Sequence, residues 1–338
     1  MTFFSDRFYY TFGPHEASLR IRSGDMLTVV CADSDNQLAD GSELSIDRRQ
    51  VATGSALFEG NPVAGPIYVE DAEPGDCLAV DVLDIELDRD WGRTLLAPDH
   101  GLLSTEQLVP TTDRESSVTV PRHMYRWHLD HAKNLARLEN PLGGDAVEVP
   151  IRPMLGTIGV CPQQGQEVST MLAGSHGGNM DLAVIRPGSS LLLPVYQQGG
   201  LLALGDIHAA QGHGEIVGGG IETSGKVHLR VRVLKGARID APRVITKDKI
   251  FAIATNGDLR RASQWAYSRL IHWLADEPFA SNRWDLYQLI SQVGILEVGG
   301  MVVPSNFNVA AGIQLDCLPS RSRKLLQEMK GPVNHLAK

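Results

Sequence analysis

The stretch VHLRVRV, residues 227–233, alternates apolar and polar side chains throughout its length. On a β-strand, a period of two places the apolar side chains on one face and the polar ones on the other. The shorter stretch SLRIR, residues 18–22, follows the same pattern. Both stretches therefore predict half-buried strands.

A tight-turn phrase followed by an apolar run recurs along the chain. It occurs as SGDMLTV (23–29), EPGDCLAV (73–80) and PGSSLLL (187–193). The 34 glycines and 18 prolines among 338 residues suit a chain with many tight turns. Together with strand signals from residue 8 to about residue 250, this pattern predicts an antiparallel β-sandwich or jelly roll.

Residues 103–150 interrupt the strand pattern because they are polar and irregular, most of all at 111–117. We expect an insertion or a lid in this segment. His128 and His131 lie here three residues apart, and no glycine-rich polar phrase surrounds them. We therefore expect both histidines to be solvated.

The character of the chain changes after residue 258. Asp258 can cap a helix in which apolar residues recur at helical spacing up to Leu274, with Trp265 and Trp273 expected as core anchors. Further helices are predicted over 283–292 and from a capping Ser320 to residue 329. The expected division is a β-sandwich catalytic domain at 1–250 and an α-rich C-terminal extension at 251–338 packed on it.

The charge balance argues against two classes of partner. There are 31 Lys and Arg residues against 40 Asp and Glu residues, a formal net charge of −9. Nucleic acids and anionic membranes attract clustered positive charge, so we expect neither as a partner. The four cysteines show no CxxC spacing, and the chain shows no signal-peptide pattern and no run of about 18 apolar residues. We therefore expect a cytoplasmic protein.

Two short stretches concentrate glycine, histidine and carboxylate: GSHGGNMD (174–181) and GDIHAAQGHGE (205–215). Asp206 and His208 stand two apart, which places both side chains on one face of a strand. The following glycines allow a tight turn that brings Glu215 back toward that face. One imidazole with two carboxylates is the ligand set of a hydrolytic Zn²⁺ site or of a mixed site for a harder ion.

Each stretch also has a simpler interpretation. A Gly-Asp pair is typical of a turn, and a lone histidine such as His208 is more often a satisfied, half-buried residue. The two stretches lie about 25 residues apart. From the residues alone, their convergence on one site and their independence remain alternatives.

Further phrases accompany these stretches in collinear order: 24–33 with 36–37, NPVAGPIYV (61–69), AEPGD (72–76), GTIGV (156–160), LPV (193–195) and GIE (220–222). In this combination the chain resembles the acetamidase/formamidase family of amide hydrolases. The resemblance implies a mainly β fold, a jelly-roll-like β-sandwich with an α/β C-terminal extension. It also implies hydrolysis of short amides to a carboxylate and ammonia, in association with a bound divalent metal.

By position, the resemblance implies a polar site made of Asp33, Asp181, Asp206, His208 and Glu215, with His176, Asn179 and Glu222 nearby. The division of roles is our own inference. We expect Asp206 and His208, with Asp33 or Asp181, to hold a divalent ion, most simply Zn²⁺, with Ca²⁺ or another divalent ion as alternatives.

The remaining residues of the predicted site are assigned to catalysis and substrate binding. Glu215 is the expected proton shuttle, with a role as a metal ligand as the alternative, and Asn179 and His176 complete the catalytic set. Backbone N–H groups of Gly177 or Gly178, together with Asn179, would stabilise the oxyanion. Glu222 is expected beside them in the substrate-binding set.

Two positions depart from the usual phrases of the family. Ala64 stands where the family has threonine, and His213 stands where it has the acid of a Gly-Asp-Gly-Glu phrase. The first change removes a hydroxyl, and the second replaces a carboxylate with an imidazole. A hydrolase of another amide is therefore an alternative.

Three other interpretations compete with metal-assisted hydrolysis. Cys161 could attack the amide with a histidine as base, although a free cysteine after an apolar run is commonly inert. Ser175 and His176 are adjacent, so on a strand they would point to opposite faces. A non-catalytic β-sandwich with a structural metal could bind a small ligand.

The apolar stripe of the first C-terminal helix needs a partner surface, either in its own chain or in a second copy. We expect a homo-oligomer, most simply a dimer, that takes a small-molecule amide as substrate.

Overall fold

The computed structural model describes residues 1–45, 49–50, 60–98, 100–108, 119–276 and 278–331. The strands up to residue 150 are β1 Thr2–Phe4, β2 Phe8–Tyr9, β3 Thr11–Phe12, β4 Leu19–Ile21, β5 Met26–Cys31, β6 Arg49–Gln50, β7 Val63–Val69, β8 Cys77–Leu87, β9 Trp91–Leu96, β10 His123–Asp130, β11 Leu135–Leu138 and β12 Glu148–Pro150.

The later strands are β13 Met154–Gly159, β14 Val168–Ser169, β15 Ala173–Gly174, β16 Gly177–Asn179, β17 Ser190–Pro194, β18 Leu202–His208, β19 Glu222–Thr223, β20 Gly225–Leu234, β21 Arg243–Ile245, β22 Lys249–Asn256, β23 Ile295–Val298 and β24 Phe307–Gln314. The α-helices are α1 Thr105–Leu108, α2 Leu259–Ala275, α3 Arg283–Val293 and α4 Ser320–Lys330. Among the described residues, 3₁₀ turns cover Gln163–Gly165 and Leu315–Cys317.

Two large sheets form the body of the protein. The first has nine strands in the order β1-β5-β20-β8-β17-β21-β22-β24-β23. The second follows the path β12-β11-β10-β9-β19-β18-β13-β16-β15. A branch of this sheet begins at β7, which pairs with β18 and also with β2 and β4. Strand β2 pairs in addition with β6. Strands β3 and β14 form a separate pair.

The alternating stretch 227–233 lies at the centre of this arrangement. It forms most of β20, which pairs antiparallel with β5 and β8 and places Val227 opposite Val29 and Ile85. Val227, Leu229 and Val231 are fully buried, whereas the polar residues between them are partly exposed. The predicted half-buried strand is confirmed.

The three turn phrases precede strands, as the sequence predicts. Gly24, Gly75 and Gly188 have φ of 98°, 96° and 89°, and they are followed by β5, β8 and β17. A side chain would be strained in this left-handed region, which explains glycine at each position.

The main core lies between the two sheets, and a second core lies behind the first sheet. Alternate residues of β8 divide between them: Leu78 and Val80 face the main core, whereas Cys77 and Ala79 face the helices. The layers are therefore sheet, sheet and helix, which is how amphipathic elements bury both faces of a central sheet. The expected fold class is confirmed in its β-sandwich and in its helical C-terminal part.

Helix α2 supplies most of the helical core. Asp258 is its N-cap and accepts a hydrogen bond from the Arg261 backbone N–H at 2.7 Å, as predicted. The apolar residues at helical spacing that it buries are Ala262, Ala266, Leu270, Trp273 and Leu274. Strands β22 and β24 continue the first sheet past residue 250. The division into two domains at that residue stays a prediction.

Two details of the predicted helices are corrected. Trp265 is 48% exposed, because it lies at the margin of the α2 stripe and not on its centre line, whereas Trp273 is buried as expected. Ser320 does not cap α4; the N-cap is Pro319, without a side-chain bond.

The supposedly irregular segment contains strands β10, β11 and β12, which extend the second sheet. His128 and His131 lie at the end of β10 and just after it, and both are exposed, as expected. Residues 111–117 lie outside the described residues. None of the described helices has the length and apolar character needed to cross a membrane.

Candidate functional site

The sheet register brings the two glycine-rich stretches together. Strand β13 lies between β16 and β18, so Thr157 stands opposite both Asn179 and Gly205. On the other side of β18, His208 stands opposite Glu222 of β19. Residues far apart in sequence thus become cross-strand neighbours, and the convergence that the sequence left open is present in the structure.

A cavity of about 480 Å³ lies where β18 ends. Its polar lining includes Asn61, Asn179, Asp206, His208, Glu215 and Glu222. The apolar part of the lining consists of Leu95, Met124, Met171, Val302, Val303 and Pro304. A concave apolar wall with a few convergent polar groups is typical of a small-molecule site.

Gln211 fixes the orientation of the His208 ring. The Gln211 Nε2 group donates to the Asp181 backbone oxygen at 2.7 Å, so Gln211 Oε1 is the acceptor that faces His208 Nδ1 at 2.6 Å. His208 Nδ1 therefore carries a hydrogen. Its Nε2 atom points into the cluster, 3.1 Å from Asp206 Oδ1 and 3.1 Å from Glu222 Oε1.

Four acids surround this single imidazole: Asp181 and Asp206 are buried, and Glu215 and Glu222 are partly buried. One ligand atom each from Asp181, Asp206 and His208 lies within 4.8 Å of the others, and the same holds for His208, Glu215 and Glu222. Burial disfavours a charged His208, but the Glu222 and Asp206 carboxylates outweigh it and raise the pKa of His208 well above its usual value. Even a fully protonated His208 leaves the carboxylates in excess.

Asp206 is held by neutral donors on its second oxygen. Asn61 Nδ2 and Thr157 Oγ1 donate to Asp206 Oδ2 at 2.8 Å and 3.0 Å. Burial opposes ionisation, yet the nearby His208 and the hydrogen bond from Thr157 lower the pKa of Asp206. Asn61 Nδ2 also donates to Asn179 Oδ1 at 3.0 Å, and the single Thr157 hydroxyl hydrogen is shared between Asp206 Oδ2 and Asn179 Oδ1, which lies 2.5 Å from Thr157 Oγ1. With that oxygen engaged, the Nδ2 group of Asn179 is the donor that remains for a ligand in the cavity.

The folded protein disfavours the ionised forms of Asp181 and Glu215. Burial, together with the Glu215 and Asp206 charges, raises the pKa of Asp181 well above its usual value. Asp181 Oδ1 is buried and has no hydrogen-bond partner among the described residues. Burial raises the pKa of Glu215 to about 8. Burial also raises the pKa of Glu222, which accepts from Ser34 Oγ at 2.9 Å.

Glycines leave the space that these side chains occupy. A Cβ atom on Gly156 would lie 2.5 Å from Asp206 Oδ2 and 2.7 Å from Asp181 Oδ1. One on Gly220 would lie 2.7 Å from His208 Nδ1. The three site acids Asp181, Asp206 and Glu215 have φ of 49°, 60° and 50°. Non-glycine residues in this region cost about 1–3 kcal/mol each, and such strain concentrates at functional sites.

Asp33 is not part of the cluster. Its Oδ2 atom receives Arg89 Nη2 at 2.6 Å and lies 3.3 Å from Arg93 Nη2, and its Oδ1 atom accepts backbone N–H groups of Asp35 and Gln37. Both oxygens are therefore used, which leaves none for an ion. Asp33 instead positions Arg93, which lines the cavity and also pairs with Asp35.

His176, Gly177 and Gly178 lie behind the cavity wall and are not among its lining residues. The buried His176 ring packs edge-on against Phe12 at a centroid distance of 5.2 Å, and its Nε2 atom has no partner among the described residues. Burial lowers the pKa of His176 to about 4. The two glycines take part in the pairing of β16 with β13.

The alternative nucleophiles also lie away from the cavity. Cys161 is fully buried, and burial raises its pKa to about 11, which disfavours the thiolate that would attack an amide. Ser175 lines a different cavity. Of the two departures from the family phrases, Ala64 is buried in the main core and His213 is exposed. Neither lines the site cavity.

Sequence reasoning did not single out several residues that build the site: Asn61, Thr157, Gln211, Ser34 and Arg93. Asn61 opens the phrase NPVAGPIYV, and Thr157 lies within GTIGV, so both belong to phrases that the resemblance rests on. Gln211 follows His208 by three residues in the second stretch. A search for side-chain donors within those phrases could have found these three.

These features define a class: a β-sandwich protein with a buried acidic cluster around one histidine at a small-molecule cavity. The model of the acetamidase/formamidase family matches residues 14–171 and 164–304, and the chain belongs to this family. The resemblance seen in the sequence is confirmed.

Curated relatives agree with this assignment. A formamidase from Methylophilus methylotrophus is 29% identical over 255 residues, which cover 64% of this chain and 61% of that protein. An acetamidase from Mycolicibacterium smegmatis is 27% identical over 272 residues, covering 65% of this chain and 64% of that protein. The matched chain thus spans somewhat less than two thirds of the length of either relative.

Solved structures match over nearly the whole chain. An acetamidase from Bacillus halodurans superposes with a TM-score of 0.75 at 28% identity, covering 94% of this chain and 98% of that chain. An acetamidase from Yersinia enterocolitica gives a TM-score of 0.76 at 28% identity, with 97% and 93% covered. The fold and its layers are therefore those of acetamidase structures.

Proposed function

We propose that this protein hydrolyses short aliphatic amides of the acetamide and formamide type to a carboxylate and ammonia, with a bound divalent cation. The observation that carries the proposal is the excess of buried carboxylate around His208 Nε2, at the end of a cavity large enough for a small amide. Membership of the acetamidase/formamidase family supports the reaction class.

The residues fit a cation. Asp181 Oδ1 is a buried oxygen without a hydrogen-bond partner in the described part of the chain, and Gln211 holds His208 in the tautomer that offers the Nε2 lone pair. Asp181, Asp206 and His208 would hold the ion, and their mixed nitrogen and oxygen donors suit Zn²⁺, with a harder divalent ion such as Ca²⁺ as the alternative. We exclude Asp33 from this set because both of its oxygens are engaged.

A cation bound in this cluster supplies Lewis-acid activation of water and of the amide carbonyl. Glu215 lines the cavity with a pKa of about 8, so it can accept a proton from the attacking water near neutral pH and return it to the leaving nitrogen. Asn179 Nδ2 would donate to the developing oxyanion. Glu222, held by Ser34, would bind the amide N–H group.

We also propose a homodimer in the cytoplasm. Trp284, Tyr287 and Trp265 are 73%, 64% and 48% exposed on the neighbouring helices α3 and α2, and exposed apolar patches of this kind are typical of association surfaces. The four cysteines are free, which suits a reducing compartment. Light scattering that gives a monomer at all concentrations would overturn the dimer.

The decisive experiment measures bound metal per chain in the purified protein and ammonia release from formamide, acetamide and longer amides. His208→Ala should lose metal and activity together while circular dichroism keeps the β signal, because His208 is a polar side chain at the edge of the core. His131→Ala, a change at an exposed histidine, is the matched control. A metal-containing protein without activity on any amide would favour the non-catalytic binding protein instead.

A further inference from the structure

A second cavity of about 460 Å³ lies between the β15–β16 turn, β21 and α2, and it shares no lining residue with the first. The proposed amide hydrolysis gives it no role. Three arginines and one histidine line it: Arg238, Arg243, Arg269 and His272. The electrostatic character of this arginine cavity is therefore opposite to that of the acidic site.

Arg243 is the central cation of the arginine cavity. It is only partly exposed, and its guanidinium carbon lies 4.8 Å from the centroid of the buried Trp273 ring. No carboxylate or carbonyl oxygen of the described residues accepts a hydrogen bond from its guanidinium group. Burial, opposed by the Asp240 charge, lowers its pKa below the usual value. Such a desolvated guanidinium with free donors is a group that gains from an anionic partner.

The other charges around Arg243 do not neutralise the cavity. Arg269 donates Nη1 to the Ile253 backbone oxygen at 2.9 Å and has only a long contact, 3.4 Å, with Asp240, whose side chain is 71% exposed. Asp276, the second lining acid, is exposed at the C-cap of α2. Arg238 is exposed as well. Among the described lining residues there are thus three permanently charged arginines and two carboxylates, and this count leaves out any charge on His272.

We infer that the arginine cavity binds a small oxyanion, a phosphate or polycarboxylate group, with Arg243 and Arg269 as its principal donors. A guanidinium presents a planar fork of N–H groups that matches the oxygens of phosphate and carboxylate, and stacking on Trp273 holds that fork in place. The cavity volume exceeds that of a single formate or acetate, which favours the larger anions.

The test titrates the full-length protein with inorganic phosphate and with citrate at physiological ionic strength, by calorimetry. We expect saturable binding of at least one anion, and the comparison of the two assigns the ligand to the phosphate or the polycarboxylate class. Arg243→Gln should weaken this binding at least tenfold. Arg260→Gln, which removes an exposed arginine from the same helix as Arg269 but outside the cavity, should leave it unchanged.

Two results would overturn the inference: no saturable binding of either anion, or equal weakening by Arg243→Gln and Arg260→Gln. Because Arg243 contacts Trp273, its variant is first checked by circular dichroism. If it fails to fold, Arg238→Gln replaces it, since Arg238 is exposed and its loss should still weaken anion binding several-fold.

Discussion

Asp81 and Asp206 are both buried aspartates on sheet strands, but their surroundings differ. Asp81 is surrounded by donors: Arg230 Nε, Arg232 Nε and Nη2, and Ser190 Oγ lie between 2.6 Å and 3.0 Å from its oxygens. Asp206 shares its cluster with three further acids and only one imidazole. The carboxylate charge is compensated by cations in the first cluster, whereas carboxylates exceed cations in the second.

We interpret the Asp81 cluster as a structural ion network, and we propose that the Asp206 cluster is a functional one. A buried charge is tolerated when partners and hydrogen bonds compensate its desolvation, as they do at Asp81. Around His208 the compensation is incomplete, and the pKa values of Asp181, Glu215 and Glu222 rise as a result. We propose that this incompletely compensated cluster receives a cation.

The largest expected effect is on catalysis. Glu215→Gln keeps the shape of the side chain but removes its ability to accept a proton, so turnover should fall by about 10²–10⁴ while bound metal is retained. Ammonia release and metal analysis on the same preparation measure both. Glu297→Gln, a change at another carboxyl with a raised pKa outside the cavity, is the control. Metal loss in Glu215→Gln would make Glu215 a ligand, and undiminished turnover would exclude both roles.

The two aspartate clusters should respond oppositely to neutralisation. Asp81→Asn leaves two arginines facing a neutral group and should lower the free energy of unfolding by about 3 kcal/mol. Asp181→Asn in chelator-treated protein removes a buried acid whose ionisation is opposed by burial, Glu215 and Asp206, and should raise the free energy of unfolding by about 1 kcal/mol. Urea denaturation of both variants tests the contrast. Equal destabilisation would mean that the acidic cluster is balanced in the absence of metal.

A smaller effect is expected from the residue that orients His208. Gln211→Leu removes the acceptor at Nδ1 and should weaken metal binding about 10–100-fold, the usual cost of losing such a partner. Competition with a chromogenic chelator measures the affinity without relying on activity. Gln314→Leu, at an exposed position of β24, serves as control. Unchanged metal affinity in Gln211→Leu would show that metal binding does not depend on the hydrogen bond between Gln211 and the His208 ring.

The last expected effect is a pH dependence of the metal-free protein. The pKa of Glu215 is raised from its usual 4.5 to about 8, so the folded state holds a proton that the unfolded state releases at lower pH. Stability from this group is complete below about pH 4.5 and is lost as the pH rises through 8. The melting temperature of chelator-treated protein should therefore decline over this range, and Glu215→Gln should decline less. A flat profile would contradict the raised pKa.

The local parts of the structure were predictable because they depend on neighbours in sequence. The period-two pattern at 227–233 identifies a strand with one buried face, and Asp258 identifies the start of α2. Helix α3, predicted over 283–292, ends one residue later, at Val293. Asp206 and His208 share a cluster because they stand two apart on one strand. The exposure of Trp265 was not predicted, because only the packing decides how wide the buried stripe of a helix is.

The sequence by itself determined the strand periodicity, the turn glycines, the capped helix and the two polar stretches, since each follows from steric and hydrogen-bonding rules within a few residues. Only the tertiary structure decided which acids meet His208. Asn61 donates a hydrogen bond to Asp206 although 145 positions separate the two residues in sequence. Asp33 forms a salt bridge with Arg89 and does not join the cluster. Sheet register sets these contacts, and register is fixed by packing between strands that are remote in sequence.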